Sequence, residues 1–422
     1  MKTRHIAHIT IEAQTPLKVG SNASDFLQDS PIQKDWNGLP MILGTSIAGV
    51  LRKEFQGDVD DVFGKENGSK VIFSNALLLD EKGEVNERLL LNKSKFLGYF
   101  DNLPIREHTA ITDKGVADNN SKFDEEVVYR GTRFKFSIEM IEDDEISFKK
   151  ILNLLYRNSF RIGGGSTKGF GKIDIKEIKT ATFTKDNYQD FSSSLNYVGL
   201  KIPNFLFGDA QSTNYTTYKL TIKPDDFFMF GSGSGDSDAD ATPVYERVID
   251  CDNAKLKDKK ILIPASSIKG ALAHRTTYHY NLQQKLFIGD ENARETISEL
   301  FGEAKNSKKE IAGSKGKILI SDCFKKIKDK DGEAAEKTFD HVSIDRFTGG
   351  AIDGALFQEK TIADDREYEI EILLEKSVED GYRKAFEESL KDICNGMLSL
   401  GGMTTKGHGV FSGELYRDGE KL

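Results

Sequence analysis

The sequence contains two copies of one pattern, and this duplication constrains the fold more than any other feature. The copies keep the order of their segments, at offsets between 221 and 239 residues. Four segments of the first half recur in the second: 44–49 as 265–270, 62–64 as 300–302, 105–109 as 344–348, and 163–171 as 401–409. A repeat of this length is typical of a duplicated domain and not of a solenoid of short units. We therefore predict domains at 1–185 and 217–422, joined by a polar linker at 186–216.

The pattern within each copy predicts an α+β fold. Alternating apolar residues at 6–12 and 218–223 indicate half-buried strands near the start of each copy. A short apolar run comes next, followed by apolar residues at helical spacing behind a Ser or Thr pair that we expect to cap the helix. Each glycine-rich segment leads into a further strand. Strands and helices mixed in this way, with an antiparallel bias, predict α+β sandwiches.

Composition favours a cytoplasmic protein. The 422 residues suffice for two to three domains, and 30% of them are charged. No run of about 18 apolar residues predicts a membrane span, and the first residues lack the apolar core of a signal peptide. Cys251, Cys323 and Cys394 lie far apart and form no C-x-x-C pair. This spacing favours a reducing compartment and argues against a cysteine zinc site.

The net charge of −9 leaves two alternatives open. A protein that binds nucleic acid on its own is usually basic, because neutralisation of phosphates dominates its affinity. Either this chain does not bind nucleic acid, or it does so through a local basic groove that partner subunits help to form.

The glycine-rich segments are candidate phosphate-binding loops. Consecutive glycines permit positive φ angles and bring backbone N–H groups close to a ligand. Gly164, Gly165 and Lys168 in the first copy correspond to Gly402 and Lys406 in the second, apart from one substituted glycine. The loops are neither Walker A nor dinucleotide-binding motifs, since their spacings differ. The alternative is a tight turn between a helix and a strand.

The Ser and Thr pairs before the first helices are a second candidate, because a helix N-terminus attracts anions. In the second copy this start carries Ser266, Ser267 and Lys269, and in the first copy it carries Ser46, with Arg52 six residues further on. The alternative is ordinary helix capping.

Acidic loops after the first strands are a third candidate. Asp29 in the first copy and Asp240 in the second stand before Ser-Pro and Thr-Pro sequences. A carboxylate on such a loop can bind Mg²⁺ and assist in-line attack at phosphorus, and the alternative is a solvated loop. The spacing of the histidines predicts no histidine-based site.

Together these motifs resemble the RAMP superfamily, most closely the backbone subunits of type III CRISPR effector complexes. The resemblance covers nearly the whole chain, once per half. It is specific in the second half, where it rests on 263–270, 300–302, 344–351, 355–357 and the glycine loop. In the first half 41–49 lacks the usual proline, and Ile105-Arg106-Glu107 replaces Ile-Asp-Arg.

The resemblance implies two tandem ferredoxin-like (RRM-like) domains, each with a glycine-rich loop and a thumb hairpin. The thumbs would run from Thr109 to about Tyr129 and from Thr348 to about Thr361. Family members bind a guide RNA through the palm and the glycine loop. The expected RNA-binding residues are Ser46, Arg52, Gly164, Gly165, Lys168, Ser266, Ser267, Lys269, Arg275, Arg346, Gly402 and Lys406.

The resemblance also implies a catalytic aspartate. The family pattern Asp-Ser-Pro-Val-Ile-x-Asp matches Asp29-Ser-Pro-Ile-Gln-Lys-Asp35, so Asp29 is the expected catalyst and ligand of a divalent cation, Mg²⁺. In the second copy Ala241 takes this position, and Asp240 is the neighbouring candidate. The second centre is therefore either active through Asp240 or inactive.

The partners that the resemblance implies are guide CRISPR RNA, target RNA, other RAMP proteins and the large polymerase-like subunit. A metal-dependent endoribonuclease within a ribonucleoprotein is the leading hypothesis. The alternatives are a non-catalytic scaffold for the guide RNA and a stand-alone nuclease that processes guides.

Overall fold

A computed structural model of the protein describes residues 3–21, 31–66, 68–112, 115–119, 121–205, 214–286, 292–303 and 313–422, with only the backbone at 292–296. The first domain has these elements in chain order: β1 (Arg4–Ala13), β2 (Met41–Ile42), α1 (Gly44–Glu54), α2 (Val59–Phe63), β3 (Val71–Phe73), β4 (Ala76–Leu78), α3 (Lys95–Gly98), β5 (Ile105–His108), β6 (Phe123–Glu126), β7 (Arg133–Met140), α4 (Glu145–Leu154) and β8 (Ile173–Phe183).

The first sheet has the strand order of a ferredoxin-like fold. Its central path runs β4-β7-β1-β8, and the pairs β1–β7 and β1–β8 are antiparallel. Helix α1 follows β1 and helix α4 follows β7, so the chain order is βαββαβ. The alternating apolar side chains of β7, from Phe134 to Met140, are buried in one core with apolar side chains of α1 and α4.

The second domain repeats this arrangement. Its elements are β9 (Tyr215–Pro224), β10 (Phe227–Phe228), β11 (Tyr245–Asp250), β12 (Lys255–Ile263), α5 (Ala265–Gln284), α6 (Asn292–Phe301), β13 (Gly302–Glu303), β14 (Ser314–Lys315), β15 (Ile318–Ile320), β16 (Cys323–Lys326), β17 (Lys328–Asp329), β18 (Gly332–Glu333), β19 (Ala335–His341), β20 (Phe357–Ala363), β21 (Tyr368–Glu375), α7 (Asp380–Cys394), β22 (Phe411–Arg417) and β23 (Glu420–Lys421).

The sheet of the second domain runs β15-β21-β9-β22, the same order as in the first domain. Tyr218, Leu220 and Ile222 of β9 are fully buried and pack with Phe386 and Leu390 of α7. The predicted tandem ferredoxin-like α+β fold is therefore confirmed. Strands β11, β12 and β16 form a separate antiparallel sheet of this domain.

A β-hairpin projects from each domain where the resemblance places a thumb. Strands β5 and β6 pair in the first domain, with their connection at 109–122. Strands β19 and β20 pair in the second domain, with their connection at 342–356. The second hairpin is the longer one, because seven residue pairs from Ala335↔Ala363 to His341↔Phe357 form its ladder.

The prediction that Ser or Thr pairs cap the first helices is wrong. Helix α1 starts behind Leu43 and helix α5 behind Pro264, and neither helix has a side-chain cap at that position. Side chains from distant strand ends take this role instead. The backbone N–H of Gly44 donates to Asn75 Oδ1 (2.9 Å), and that of Ala265 donates to Asp322 Oδ1 (2.8 Å). The serines lie within the first turn, one or two residues too late to cap it.

The predicted linker packs on the first domain over its described part. Leu195 is buried with Met41 and Leu77, and Leu200 is buried with Ile6. Residues 206–213 lie outside the described residues, so the boundaries 185 and 217 stay predictions. Among the described residues, no helix is long and apolar enough to cross a membrane.

Charged groups are buried where the domains meet. The Arg106 guanidinium of β5 lies 2.5 Å from Glu246 Oε2 of β11 and 3.2 Å from Asp322 Oδ2. Burial raises the pKa of both carboxyl groups, while the charge of Arg106 opposes this. Removing an ion from water costs several kcal/mol, so a buried charge is stable only when opposite charges lie next to it. The arginine meets this requirement with two carboxylates from the other domain.

Candidate functional site

Four side chains meet where the first hairpin joins the body of its domain: His108, Phe123, Glu125 and Lys168. We call this group the first hairpin-base site. The rings of His108 and Phe123 stack across the hairpin, with centroids 5.1 Å apart. Lys168 Nζ lies 4.6 Å from the centre of the Phe123 ring and 3.6 Å from Glu125 Oε1. The site thus offers a cation and an aromatic ring side by side.

The glycine loop brings Lys168 to this position. Gly163 has a φ of 87°, and a Cβ there would lie 2.3 Å from the carbonyl oxygen of Lys18. Gly165 has a φ of 70° and precedes the single 3-10 turn Ser166–Lys168. Only glycine tolerates both the left-handed backbone and the close approach.

Glu125 contacts one histidine and two lysines at the first hairpin-base site. His108 Nε2 lies 3.1 Å from Glu125 Oε2, and the Lys18 ammonium contacts the other carboxylate oxygen. Burial alone would raise the pKa of Glu125, but His108, Lys18 and the charge of Lys168 outweigh burial and lower it to about 2. The carboxylate is therefore ionised at neutral pH and holds the lysines near the hairpin.

The second domain repeats the group as His341, Phe357, Glu359 and Lys406, the second hairpin-base site. His341 stacks on Phe357 with centroids 4.7 Å apart, and Lys406 Nζ lies 4.4 Å from the centre of the Phe357 ring. His341 Nε2 lies 3.2 Å from Glu359 Oε1. Lys406 ends a 3-10 turn, Thr404–Lys406, that corresponds to the turn of the first loop.

The two sites differ in the groups around the glutamate. Glu359 is fully buried, and neither of its oxygens has a well-aligned donor among the described residues. His408 of the second glycine loop lies 3.6 Å from Glu359, where the first loop has Phe170. The second glutamate thus faces two imidazoles, while Glu125 faces two lysines and one imidazole.

Both acidic loops lead to the strand that carries the glutamate. The backbone N–H of Asp240 donates to Gln358 O (2.9 Å), and Gln358 N–H donates back to Asp240 Oδ2 (2.8 Å). In the first domain the backbone N–H of Ile32 donates to Glu126 Oε2 (2.9 Å). Asp29 itself lies outside the described residues. Asp240 is therefore placed beside its hairpin-base site, and the end of the Asp29 loop is placed beside the other.

The glycine loop of the first domain packs on the start of α5 in the second. A Cβ on Gly169 would lie 2.3 Å from Asp322 Oδ1 and 2.7 Å from Ala265 Cβ. Lys269 Nζ donates to Thr167 Oγ1 across this contact (3.0 Å). Burial, with the charge of Lys168 nearby, lowers the pKa of Lys269 to about 8. One domain thus supplies the loop and the other supplies the helix.

Comparison with protein families decides the assignment. The model of the RAMP superfamily matches residues 10–174 and 242–412, well over half of the chain and once in each domain. The chain belongs to the RAMP superfamily. A comparison with curated protein sequences found no match.

One solved structure that matches this RAMP protein is a chain of the type III-B Cmr-β complex, determined by cryo-EM with cognate target RNA bound. The sequence identity is 17% and the TM-score is 0.32. The match covers 42% of this chain and 61% of that chain, so this chain spans less than two thirds of the protein it matches.

Several residues predicted to bind RNA are already engaged within their own RAMP domain. Arg52 contacts Asp60 (2.8 Å), and Arg275 contacts Asp392 (2.5 Å). The N–H groups of Gly164 and Gly402 donate to the carbonyl oxygens of Lys18 (2.8 Å) and Met229 (2.7 Å).

The remaining predicted residues lie in three places. Arg346 is exposed in the connection of the second hairpin, and Ser46 is partly buried in the first turn of α1. Ser266 and Ser267 lie in the first turn of α5, beside the glycine loop of the first RAMP domain. Their side chains make no cap bond.

The part of the chain that the structure describes contains no group of three or more His, Cys, Asp or Glu side chains that could hold a metal ion. Asp240 keeps one carboxylate oxygen without a hydrogen bond among the described residues. Mg²⁺ is commonly held by one or two carboxylates together with waters and substrate phosphates. Asp240 therefore fits such a site as a single ligand.

The hairpin-base sites were missed from the sequence, although a signal exists. Phe123-Asp-Glu125 recurs as Phe357-Gln-Glu359, and His108 recurs as His341, at offsets of 234 and 233 residues. A search of the hairpin strands for Phe-x-Glu behind a histidine would have found both groups.

Proposed function

We propose that this RAMP protein is a guide-RNA-binding backbone subunit of a type III CRISPR effector complex, and that it binds and cleaves complementary target RNA. The observation that carries the proposal is the repeated hairpin-base site, in which a lysine lies above an aromatic ring beside an acidic loop. Single-stranded RNA is recognised through backbone charge and base stacking on aromatic rings. Lys168 with Phe123, and Lys406 with Phe357, supply both groups in each domain.

The second hairpin supports interference with base pairing. Phe347 at its tip is 100% exposed, and Ile344 and Leu356 nearby are more than half exposed. Apolar side chains on a projecting element can wedge between bases and unstack them. We infer that this tip displaces a base where guide and target are paired.

Cleavage is assigned to Asp29 in the first domain and to Asp240 in the second. A divalent cation, Mg²⁺, held by such an aspartate and the substrate phosphate would neutralise the charge that develops at phosphorus. The chain itself positions the loop, because the backbone of Asp240 is bonded to Gln358, next to Glu359.

One observation favours the alternative of a scaffold in the second domain. One oxygen of Asp240 already accepts a backbone N–H, and Ala241 stands where the family pattern has aspartate. The second domain would then bind RNA without cutting it.

The contact between the two domains supports further RAMP subunits as partners. Gly169 packs on Ala265 and Asp322, whereas Gly407 at the same position of the second loop has nothing within 4 Å among the described residues. A head-to-tail contact leaves the glycine loop at one end and the helix start at the other end without a partner. Further subunits can bind there in the same way and extend the row. The second glycine loop would receive the first helix of another RAMP subunit, and the large polymerase-like subunit would join at an end of such a row.

The test is to map target-RNA cut positions in the assembled complex. Asp29→Ala is expected to abolish one set of cuts, and Asp240→Ala the other set if the second centre is active. Asp238→Ala is the control, because Asp238 lies in the same exposed loop. If a complex with both substitutions assembles normally and its cut positions are unchanged, cleavage by this chain is contradicted. The chain would then act only as a scaffold for the guide RNA.

A further inference from the structure

Cations line a cleft between the two domains, on a surface that contains none of the residues assigned to RNA so far. The cleft has a volume of about 510 Å³. It is bordered by Gln14 and Thr15, just after β1, and by Lys172 of the first domain, and by β12, β16 and β21 of the second. Arg130, Lys260 and Lys326 are its central cations. We call this feature the interdomain cleft.

The strand register forces two of these cations together. Lys260 of β12 and Lys326 of β16 are direct partners in the antiparallel ladder, so their side chains leave the same face of the sheet. Two residues earlier on β16 is Phe324, and the Arg130 guanidinium lies 4.6 Å from the centre of its ring. Like charges placed directly opposite each other destabilise a sheet. A third cation from the other domain adds to that repulsion.

Three of the four carboxylates that line the interdomain cleft are ion-paired with other cations, and the fourth, Glu367, is exposed. Asp322 contacts Arg106, Asp329 contacts Arg366, and Glu369 contacts Lys219. Over the described ranges, no carboxylate lies within 4.0 Å of the charged groups of the three central cations.

Titration behaviour agrees with this geometry. Burial, followed by the charges of Arg130, Lys257 and Lys326, lowers the pKa of Lys260 to about 8. Burial likewise lowers the pKa of Arg130, and the charges of Glu12, Glu246 and Asp322 partly oppose this. The clustered positive charge therefore lowers the stability of the isolated protein, as expected for a surface that binds an anion.

The basic surface continues beyond the interdomain cleft along β12. An adjoining hollow of about 570 Å³ is lined by Lys255, Lys257, Lys259 and Lys328 with one carboxylate, Asp258, and it shares Lys260 and Lys326 with the interdomain cleft. Two of these lysines are ion-paired, Lys257 with Asp250 and Lys328 with Glu333. Together the hollow and the cleft form an extended basic track in a chain whose net charge is −9.

The chemistry of this track fits phosphates better than a protein partner. Protein interfaces are anchored by apolar and aromatic side chains. Within the described part of the chain, none of the exposed large apolar side chains lies on β11, β12 or β16. A row of lysines with a stacked arginine instead matches a flexible polyanion.

We propose that the interdomain cleft and the adjoining β12 lysines bind the phosphodiester backbone of a single-stranded RNA segment, at a second site apart from the hairpin-base sites. The contact is independent of base sequence, because the cations meet phosphates. RNA held there stabilises the contact between the two domains, since both contribute cations.

The test uses the full chain and a short fluorescent oligouridylate, with affinity measured by anisotropy over a salt series. Lys260→Gln combined with Lys326→Gln removes the cross-strand pair. Lys376→Gln combined with Lys384→Gln is the matched control, because both lysines are exposed and lie away from the track. Lys168→Gln combined with Lys406→Gln reports on the hairpin-base sites separately.

The cleft variant is expected to bind more weakly, with the slope of log affinity against log salt reduced by about 0.7 for each lost phosphate contact. Its melting temperature is expected to equal or exceed that of the wild type, because repulsion is relieved. The control is expected to behave like the wild type. The hairpin-base variant is expected to lose affinity while it keeps the share due to the cleft.

Three results would overturn the proposal. The first is a wild-type chain that binds no RNA at low salt. The second is a cleft variant with unchanged affinity and slope. The third is a cleft variant that keeps RNA affinity but fails to join its partner subunits, which would assign the track to an acidic protein. A loss confined to the hairpin-base variant would uphold the proposed function while refuting the second site.

Discussion

Arg106 of the first domain and Glu246 of the second form an ion pair with both side chains less than a tenth exposed. Asp322 completes the group and also caps helix α5 through the N–H of Ala265. The arginine follows Ile105 at the start of the first hairpin, where the family pattern has aspartate. The departure from the pattern thus has a structural use, because it joins the hairpin of one domain to the strands of the other.

Replacing Arg106 by methionine is expected to lower the free energy of unfolding by about 3–5 kcal/mol, because two carboxylates remain buried without a counter-ion. Urea denaturation measures this. Lys65→Met removes an exposed pair with Asp60 and is the control, with an expected change below about 1 kcal/mol.

Burial already raises the pKa of Glu246 and Asp322, and loss of Arg106 raises both further. The folded variant then binds protons more tightly than the unfolded chain does. The difference in the free energy of unfolding between variant and wild type should therefore shrink as the pH falls. Equal effects of the two substitutions would contradict this role.

Asn75, and not Ser46, is expected to cap helix α1. Asn75→Ala removes the acceptor for the N–H of Gly44 and is expected to cost about 1 kcal/mol of stability. Ser46→Ala is the comparison, since Ser46 lies inside the first turn of α1 and not at its N-cap, and its cost is expected to stay within about 0.5 kcal/mol. Thermal melting of both variants measures the order. The reverse order would restore the cap expected from the sequence.

Glu125→Gln is expected to destabilise the first domain by roughly 1–3 kcal/mol at neutral pH, because Lys18 and His108 lose a buried charged partner. The pKa of Glu125 is lowered to about 2, so its contribution is complete above its ordinary pKa and is lost as the pH falls towards 2. The gap between variant and wild type should therefore close in acid. Urea titrations from neutral pH downwards measure it. Glu177→Gln, at a half-exposed pair with Lys179, is the control. A gap that does not change with pH would contradict the assigned ion pairs.

Much of the fold could be predicted from the sequence, because the relevant signals are local or repeated. Alternating burial in strands such as β7 follows from its apolar pattern, and the duplication transfers one domain's topology to the other. The positions of the hairpins followed from the resemblance to the family. These features need no knowledge of contacts between distant segments.

Contacts between distant segments could not be predicted. The cap of α5 comes from Asp322, 57 residues beyond Ala265, so a rule based on neighbouring residues chose the serines instead. The hairpin-base sites join a hairpin to a glycine loop, and the spacing of the histidines alone gave no indication of them. The cross-strand pair of Lys260 and Lys326 requires the register of two strands that are 60 residues apart along the chain.

The most direct test of the account is to map guide-RNA contacts by ultraviolet crosslinking in the assembled complex. We expect one cluster of crosslinked nucleotides at each hairpin-base site, and both clusters are separate from any contact at the interdomain cleft. Lys168→Gln should remove one cluster and Lys406→Gln the other, while the remaining cluster stays in place. A single cluster, or two clusters that neither substitution changes, would contradict the claim that each domain binds RNA at the base of its hairpin.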